Sequence, residues 1–424
     1  MRKLSITFAA AVTTALAILI APVTANAATQ LTMWSHWAAE KSKRAFVEEA
    51  VKRFEEKNPG VTIKITWYEK PALYAALKTA LRANQGPDIF YAEPDQIEYM
   101  ENGLLLDLSG LKWENIEPWA KEAWTWKGKP YGFPLEASTV ELYYNTKMLS
   151  ELGIKVPANL QLSSDAFMEM VKKAEAKHWT PMSEGVGDRP FPGAYLIHEA
   201  LLKKLGTEDY DKLLKGKMPW NDPRVVSTLQ WVKGFVDAGL LPKTFTSLKL
   251  GESHTYFYSN PGAVTFLMES WYTSRAFNPP DQGGEPVGFP LGIMKYPAVP
   301  DAACNECKTL RVGGSYVVNA STKSPKEALA FLNSMATPEM GNEWLGKVLV
   351  QTGIKADPSK MSGSHADYFK KLAAVNEGAK YYFGIPLQVM QGKAREVFTQ
   401  VINNAFPAGN LTVDQAVQQM SAAN

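Results

Sequence analysis

Aromatic and polar side chains gather at two points in the first hundred residues. The first is the run Trp34, Ser35, His36 and Trp37, and the second is YAEPD, which contains Glu93 and Asp95. Flat rings can pack on the C–H faces of a small molecule, while carboxylates, hydroxyls and imidazoles can hydrogen-bond its polar rim. These residue types favour the binding of a hydroxyl-rich guest.

The spacing of apolar residues places both groups at the ends of strands. Strands are predicted over 31–34, 61–67 and 89–91, and amphipathic helices over 40–57 and 72–83. This β-α-β-α-β order predicts a parallel sheet with helices on its faces. Ligands of such sheets bind outside the carboxyl ends of the strands, where the two groups are expected to lie.

The rest of the chain continues the α/β pattern. Residues 138–264 are mainly helical, with one helix capped by Ser163 or Ser164 and another capped by Asn221 or Asp222. Further strands are predicted over 263–268 and 315–318, and a helix is expected to open at Ser324-Pro325. The length of 424 residues predicts at least two domains with a cleft between them.

Charge and motif content exclude several functional classes. The chain has 45 basic and 43 acidic residues, so loss of Arg2 and Lys3 would leave 43 of each, without the positive excess that nucleic-acid binding requires. No nucleophile elbow, phosphate loop or dinucleotide fingerprint is found. Two cysteines and five scattered histidines lack metal-ligand spacing, so neither a metal nor a cofactor is expected.

The first 27 residues are typical of a secretory signal peptide. Basic Arg2 and Lys3 precede an apolar run to about Val23, and small residues Ala25 and Ala27 flank a predicted cleavage point after Ala27. A membrane anchor is the alternative, but polar residues dilute the run. The mature chain is expected in an exported compartment, which for a bacterium is the periplasm.

The only two cysteines, Cys304 and Cys307, form C-x-x-C within a proline-rich, loop-like segment. In an oxidising compartment they are expected to form a disulfide bond that restrains the loop. The alternative is a redox motif, which normally sits at the start of a helix after a strand, a setting that this segment does not offer.

Four ordered segments resemble the extracellular solute-binding proteins of ABC importers, in the family that includes the maltose-binding protein. They span nearly all of the chain beyond the signal peptide. They are LTMWSHW with the following FEEKNPGVTIK, GPDIFYAEPDQIEYMENGLLLDLS, YGFPLEASTVELYYNTKMLSELGIKVP, and GAVTFLMESW paired with RVGGSYVVNASTKSPKEALAFLNSMATPEMG.

The resemblance implies the type II periplasmic binding protein fold, an α/β fold with two lobes joined by a three-segment hinge. Lobe one would comprise 28–136 and 266–313, and lobe two 137–265 and 314–424. The chain would cross between the lobes near Pro134 to Ser138, near Gly262 to Phe266 and near Arg311 to Ser315. Such a protein closes its hinge on a solute that contacts both lobes.

The expected ligand-binding residues lie at strand ends, at the crossings, or in the segment 185–195, which resembles a loop that brings an aromatic and a polar group from lobe two. They are Trp34, Ser35, His36, Trp37, Glu93, Asp95, Glu136, Ser138, Arg189, Phe191, Trp271, Gly313, Gly314, Ser315 and Tyr316. Trp271 is expected to stack on the ligand, with core packing as its alternative.

The resemblance implies a monomeric, non-enzymatic receptor that delivers a mono- or oligosaccharide to an inner-membrane ABC permease. One alternative is a receptor for an anionic sugar or polyol, with Arg189, Arg275, Arg311 or His36 supplying positive charge. The other alternative is a secreted carbohydrate-active enzyme.

Overall fold

Strands and helices alternate along the chain in the computed structural model, which describes residues 29–188, 193–357 and 365–423. The predicted signal peptide, Arg189 and Phe191 lie outside these residues. The strands are β1 Thr29–Ser35, β2 Val61–Trp67, β3 Ile89–Ala92, β4 Thr125–Trp126, β5 Lys129–Pro130, β6 Gly132–Pro134, β7 Ala137–Asn145, β8 Thr180–Ser183, β9 Ala263–Glu269, β10 Leu291–Met294, β11 Cys307–Val312, β12 Ser315–Val318 and β13 Lys380–Phe383. The helices are α1 Lys41–Lys57, α2 Lys70–Arg82, α3 Glu98–Glu101, α4 Pro118–Ala123, α5 Thr146–Glu151, α6 Ser164–Ala176, α7 Gly193–Leu214, α8 Pro223–Asp237, α9 Leu250–Phe257, α10 Thr273–Ala276, α11 Pro325–Met335, α12 Pro338–Val348, α13 Ala366–Asn376, α14 Pro386–Val389, α15 Gly392–Gln400 and α16 Val413–Ser421.

The first sheet has the strand order β2-β1-β3-β12-β6. Strand β1 pairs in parallel with both β2 and β3, which confirms the predicted β-α-β-α-β unit. Strand β12 runs antiparallel to β3 and β6. Helix α1 packs through an apolar stripe that includes Phe46, Val47, Ala50 and Phe54, all of them buried. Helices α11 and α12 pack against α1, and we call this body lobe one.

The second sheet has the order β13-β11-β7-β9-β8, with β10 also paired to β7. Helix α7 packs on α8 and β11 and is interrupted at Gly206, whose backbone is not helical. The predicted helix starts are present, since Ser163 caps α6 and Asp222 caps α8 through their side-chain oxygens. We call this body lobe two.

The chain crosses between the sheets near two of the three expected positions. It leaves β6 at Pro134 and enters β7 at Ala137, and later leaves β11 at Val312 and enters β12 at Ser315. The two crossings lie side by side, because Glu136 N donates to Gly314 O at 2.8 Å and Gly313 N donates to Glu136 O at 2.9 Å. Such paired segments are suited to act as a hinge.

The expected crossing near Gly262 to Phe266 is wrong, and with it the expected division of the lobes. Strand β9 pairs with β7 and β8, so 266–312 stays with lobe two, while 314–357 lies with lobe one. The chain is back in lobe two at α13, which begins at Ala366. Strand β9 is buried along its whole length. Its apolar sequence would therefore suit either sheet, and only the strands with which it pairs show that it belongs to the second sheet.

A disulfide bond joins Cys304 to Cys307, as predicted. The bond lies at the start of β11, where Lys203 Nζ of α7 donates to the Cys307 carbonyl. Helix α7 and the loop before β11 are therefore fixed to each other. Among the described residues no helix is both long and apolar enough to cross a membrane.

Gly314 lies where two buried aromatic rings approach the second crossing. A Cβ atom on Gly314 would come within 2.6 Å of Trp37 Cζ2 and 2.7 Å of Tyr91 Cε2. Both rings are essentially inaccessible to solvent and have little room to move.

We expect Gly314→Ala to lower the free energy of unfolding by about 1–3 kcal/mol, because the added methyl group overpacks this contact. Urea denaturation followed by circular dichroism measures the change. The control is Gly346→Ala in α12, where a Cβ meets no atom within 4 Å and stability should stay the same or rise by up to about 1 kcal/mol. Equal stability of Gly314→Ala and wild type would contradict the packing described.

Candidate ligand-binding cleft

A cavity of about 710 Å³ lies between the two lobes, beside the crossings. This volume suits a small-molecule ligand. Lobe one contributes His36, Glu40, Lys43, Glu69, Lys70, Pro71, Tyr74, Tyr91, Glu93, Asp95 and Glu136. Lobe two contributes Asp188, Trp271, Arg275, Arg311, Ile385 and Leu387.

Glu93 follows β3 and is fixed by three neighbours on lobe one. Its Oε1 accepts from Lys70 Nζ and Tyr91 OH, both at 2.7 Å, and its Oε2 accepts from Tyr74 OH at 3.3 Å. Burial alone would raise the pKa of Glu93, but the positive charges of Lys70 and Arg311 outweigh it and hold that pKa well below its usual range. Glu93 is therefore an ionised acceptor in a fixed orientation.

Lys43 in the first turn of α1 links lobe one to the first crossing. Its Nζ lies 2.7 Å from Glu40 Oε2 and 2.8 Å from Glu136 Oε2, and its side chain is only 3% exposed. Burial disfavours the ammonium, but the two carboxylates outweigh that effect and raise the pKa of Lys43. The cluster keeps Glu136 in place at the crossing.

Glu269 at the end of β9 organises the lobe-two side of the cavity. Its Oε2 accepts from Trp271 Nε1 at 2.6 Å and from Ser138 Oγ at 2.8 Å, and its Oε1 lies 3.2 Å from Arg311 Nε. Arg311 also reaches lobe one, with Nη2 3.8 Å from Glu93 Oε1. The Trp271 ring is thereby held in one orientation at the cavity wall.

Asp95 lies at the lobe-one rim and faces Arg395 of α15. Its Oδ2 is 3.4 Å from Arg395 Nη2, an ion pair that bridges the lobes, while its Oδ1 has no hydrogen-bond partner among the described residues. Burial and the neighbouring charge of Glu93 raise the pKa of Asp95 to about 6. The free oxygen can accept a hydrogen bond from a guest.

His36 adds a neutral ring to the same wall. Its imidazole contacts the Tyr91 ring edge-to-face, with centroids 4.3 Å apart. Burial lowers the pKa of His36 to about 3, so the ring is uncharged at neutral pH. A neutral imidazole offers one hydrogen-bond donor and one acceptor.

The structure brings together five of the fifteen expected ligand-binding residues. His36, Glu93, Asp95, Glu136 and Trp271 line the cavity. Arg189 and Phe191 lie outside the described residues.

The remaining expected residues do not line the cavity, and most of them support it from behind. Trp37 is fully buried against Tyr91, Tyr316 and Trp344, so it belongs to the core of lobe one. Trp34 packs against Tyr68, with ring centroids 5.3 Å apart. The other members have structural contacts: Ser35 with Tyr316, Ser315 with Trp124, Ser138 with Glu269, and Gly313 and Gly314 with Glu136.

Several cavity residues had no place in the expected set. Lys43 lies three and four residues before Phe46 and Val47, on the apolar stripe of α1, and a charged residue there signals a buried, paired group. Lys70 and Tyr74 occupy the first turns of α2, directly beyond the carboxyl end of β2. Asp188 lies in the segment 185–195 that was expected to reach the ligand, although the expected residues there were Arg189 and Phe191. No comparable signal marks Ile385 or Leu387 in the sequence.

The described residues contain no cluster of three or more histidine, cysteine or carboxylate side chains arranged to hold a metal ion. Glu136 and Glu93 in the cleft lie beside Lys43 and Lys70, and Glu269 behind it lies beside Arg311. The cleft presents fixed rings, hydrogen-bond acceptors and hydrogen-bond donors.

We expect the free energy of unfolding of Asp95→Asn to increase relative to that of wild type as the pH rises from 4 to 7.5. The pKa of Asp95 is higher in the folded state than its unfolded value of about 3.8, so its contribution to stability is lost as the pH rises through about 6. The relative gain should be about 1–3 kcal/mol, measured by urea denaturation at both pH values.

Asp107→Asn serves as the control, because hydrogen bonds from Ser109 lower the pKa of that partly exposed carboxyl. Its contribution to stability is present at pH 7.5 and lost toward low pH, so the change with pH should have the opposite sign. The same pH response in both variants would contradict the assignment for Asp95.

Comparison with known proteins places the chain in a family. Residues 49–352 match the family model described as bacterial extracellular solute-binding protein. The arabinooligosaccharide-binding protein of Bacillus subtilis is 25% identical over 363 residues, which cover 81% of this chain and 78% of that protein. The multiple sugar-binding protein of Streptococcus mutans is 28% identical over 148 residues, only 34% of either chain.

The fold agrees with that placement. A solved structure of a chitin oligosaccharide binding protein superimposes with a TM-score of 0.79 at 23% identity, and the match covers 93% of this chain and 98% of that one. It supports the type II fold of two α/β lobes that the resemblance implies. The family match spans well over half of the sequence, and the chain belongs to the bacterial extracellular solute-binding proteins.

Proposed function

We propose that this protein is the receptor of an ABC importer, which captures a neutral carbohydrate between its lobes and presents it to a membrane permease. The observation that carries the proposal is the composition of the interlobe cavity, where the fixed Trp271 ring lies opposite oriented acceptors on lobe one. The chain would act as a monomer in the periplasm after removal of residues 1–27.

The cavity matches the two surfaces of a sugar ring. The Trp271 face can pack on the C–H groups of a pyranose or furanose, and its Nε1–Glu269 bond keeps the indole from rotating away. Glu93 and Asp95 can accept hydrogen bonds from hydroxyl groups, while His36 can donate or accept one. The names of the relatives, which refer to multiple sugars, arabino-oligosaccharide and chitin oligosaccharide, support this ligand class.

Binding would be coupled to closure because the contacts come from both lobes. A guest that touches Glu93 on lobe one and Trp271 on lobe two favours the closed form, whereas a guest bound to one lobe alone would not shift the equilibrium. The paired backbone segments at Glu136 and Gly314 supply the axis for this motion. The permease would distinguish the closed form from the open one.

An anionic sugar is disfavoured by the charge pairing of three of the four lysine and arginine side chains that line the cavity, Arg275 being the fourth. Lys43, Lys70 and Arg311 each already lie beside at least one carboxylate. An anionic guest would have to compete with these ion pairs in a cavity that also contains Glu69 and Asp188.

One observation favours a carbohydrate-active enzyme as the second candidate. Glu93 and Asp95 line the same cavity with pKa values shifted in opposite directions, a pattern that also occurs in glycosidase acid and nucleophile pairs. Against this role, Lys70 and Tyr91 occupy Glu93 Oε1, and both interactions weaken it as a nucleophile. The receptor function is therefore preferred.

We expect Trp271→Ala to weaken carbohydrate binding at least about fivefold, or ~1 kcal/mol, because the stacking face is lost. A panel of neutral mono- and oligosaccharides, uronates, sulfonated sugars and polyols identifies ligands by thermal shift, and calorimetry gives the affinities. Trp179→Ala, which removes a half-buried tryptophan that does not line the cavity, is the matched control. Wild-type affinity in Trp271→Ala would make that ring a packing residue only.

We expect the bound carbohydrate to be recovered unchanged. Each ligand identified in the panel is incubated with the protein for a day, and the mixture is analysed by anion-exchange chromatography. Release of shorter sugars by wild type, but not by Asp95→Asn, would contradict the receptor function and support a carbohydrate-active enzyme.

A further inference from the structure

A second cavity of about 320 Å³ lies beside the main one and shares part of its wall. His36, Glu40, Lys70 and Arg275 line both spaces, so the two are neighbouring chambers of one cleft. We call the smaller one the side chamber. It lies between the loop before α1 and the first turn of α2 on lobe one, and helices α9 and α10 on lobe two.

The side chamber is bounded by a contact between the lobes. Lys41 Nζ at the start of α1 donates to Gln282 Oε1 of lobe two at 2.6 Å, and Gln282 lines the chamber. The chamber is therefore a limited space, in the size range of one sugar unit rather than of a long polymer.

Ser274 gives the side chamber an unpaired hydroxyl group. Its side chain is 96% buried, its Oγ has no hydrogen-bond partner among the described residues, and it lines this chamber rather than the main cavity. An unpaired buried hydroxyl is unfavourable, so a position of this kind is best explained by a partner that arrives with the ligand.

Arg275 is the cation of the cleft that differs from the others. Lys43, Lys70 and Arg311 lie in ion pairs at short distance. The Arg275 guanidinium makes no hydrogen bond or close ion pair with the described part of the chain, and its charge acts on the Glu40 carboxylate from a greater distance. Its planar group lines both chambers and can donate two parallel hydrogen bonds to neighbouring oxygens of a guest.

We propose that the side chamber binds the second sugar unit of a neutral di- or oligosaccharide, with Arg275 and Ser274 hydrogen-bonding its hydroxyl groups. The inference rests on the proposed function and deepens it, because it sets a minimum length for the ligand. Glu40 and Glu69 also line the chamber and favour a neutral second unit over a uronate.

Calorimetry on matched pairs of sugars tests the proposal. The probes are xylose and xylobiose, arabinose and arabinobiose, N-acetylglucosamine and chitobiose, glucose and maltose, and galacturonate and digalacturonate. Wild type should bind at least one neutral disaccharide about tenfold or more tightly than its monosaccharide, because only the disaccharide gains the contacts in the side chamber.

The variants Arg275→Ala and Ser274→Ala should remove most of this disaccharide advantage. Ser274→Ala should change the affinity for the monosaccharide by less than about twofold, because Ser274 lines the side chamber and not the main cavity. Arg275 lines both spaces, so Arg275→Ala should weaken binding of the disaccharide more than binding of the monosaccharide. Arg82→Ala, which removes an exposed arginine at the end of α2, is the control and should behave as wild type. The melting temperature of each ligand-free variant shows whether it folds. If Arg275→Ala does not fold, the more conservative variant Ser274→Ala still tests the side chamber.

Other results overturn the inference. One is an equal loss of affinity for the monosaccharide and the disaccharide in both variants. Another is an unchanged affinity for the disaccharide in both variants. The third is tighter binding of digalacturonate than of every neutral disaccharide. Binding of wild type to monosaccharides without any gain from the second unit contradicts the side chamber but leaves the proposed function intact. Failure to bind any of these sugars contradicts both.

Discussion

Charged groups at the base of the cleft are removed from water, and each must therefore find its counter-charge within the protein. Lys43 meets Glu136, and Arg311 meets Glu269, with nearly all of these side chains buried. Removing one member would leave an uncompensated buried charge, which is among the most costly changes a protein can suffer. This constraint fixes the side chains at the point where the chain passes between the lobes.

The same pairing prepares the cleft for its guest. Glu269 accepts a hydrogen bond from the Trp271 indole and contacts Arg311, so one carboxylate positions both the ring face and the cation. On the opposite lobe Glu93 is oriented by Lys70 and Tyr91. A guest thus meets groups whose orientation is already set, and little further ordering of side chains opposes binding.

The sequence was most informative where periodicity and chain order decide the structure. The β-α-β-α-β unit follows from apolar spacing, and the parallel pairing places Glu93 and His36 at neighbouring strand ends beside the cavity. Periodicity cannot reveal which of several adjacent side chains turns inward. Trp37 was expected at the ligand and lies in the core, since the absence of a side chain at Gly314 lets its ring pack there.

Long-range pairing explains the other differences. A strand that is buried on both faces, such as β9, has the same apolar composition in either sheet, so the lobe division could not be predicted from composition. Ile385 and Leu387 reach the cleft only because lobe two folds their segment toward lobe one. By contrast, Lys43 on the apolar stripe of α1 was a local signal of a buried ion pair.

Closure of the two lobes around a carbohydrate is the central claim, and an interlobe distance tests it most directly. Spin labels on Lys78→Cys in α2 and Lys249→Cys beside α9 report that distance by pulsed electron resonance, because both side chains are exposed and the native cysteines are joined to each other. Saturation with a carbohydrate that binds in calorimetry should shorten the mean distance and narrow its distribution. An unchanged distribution at saturation would contradict the account.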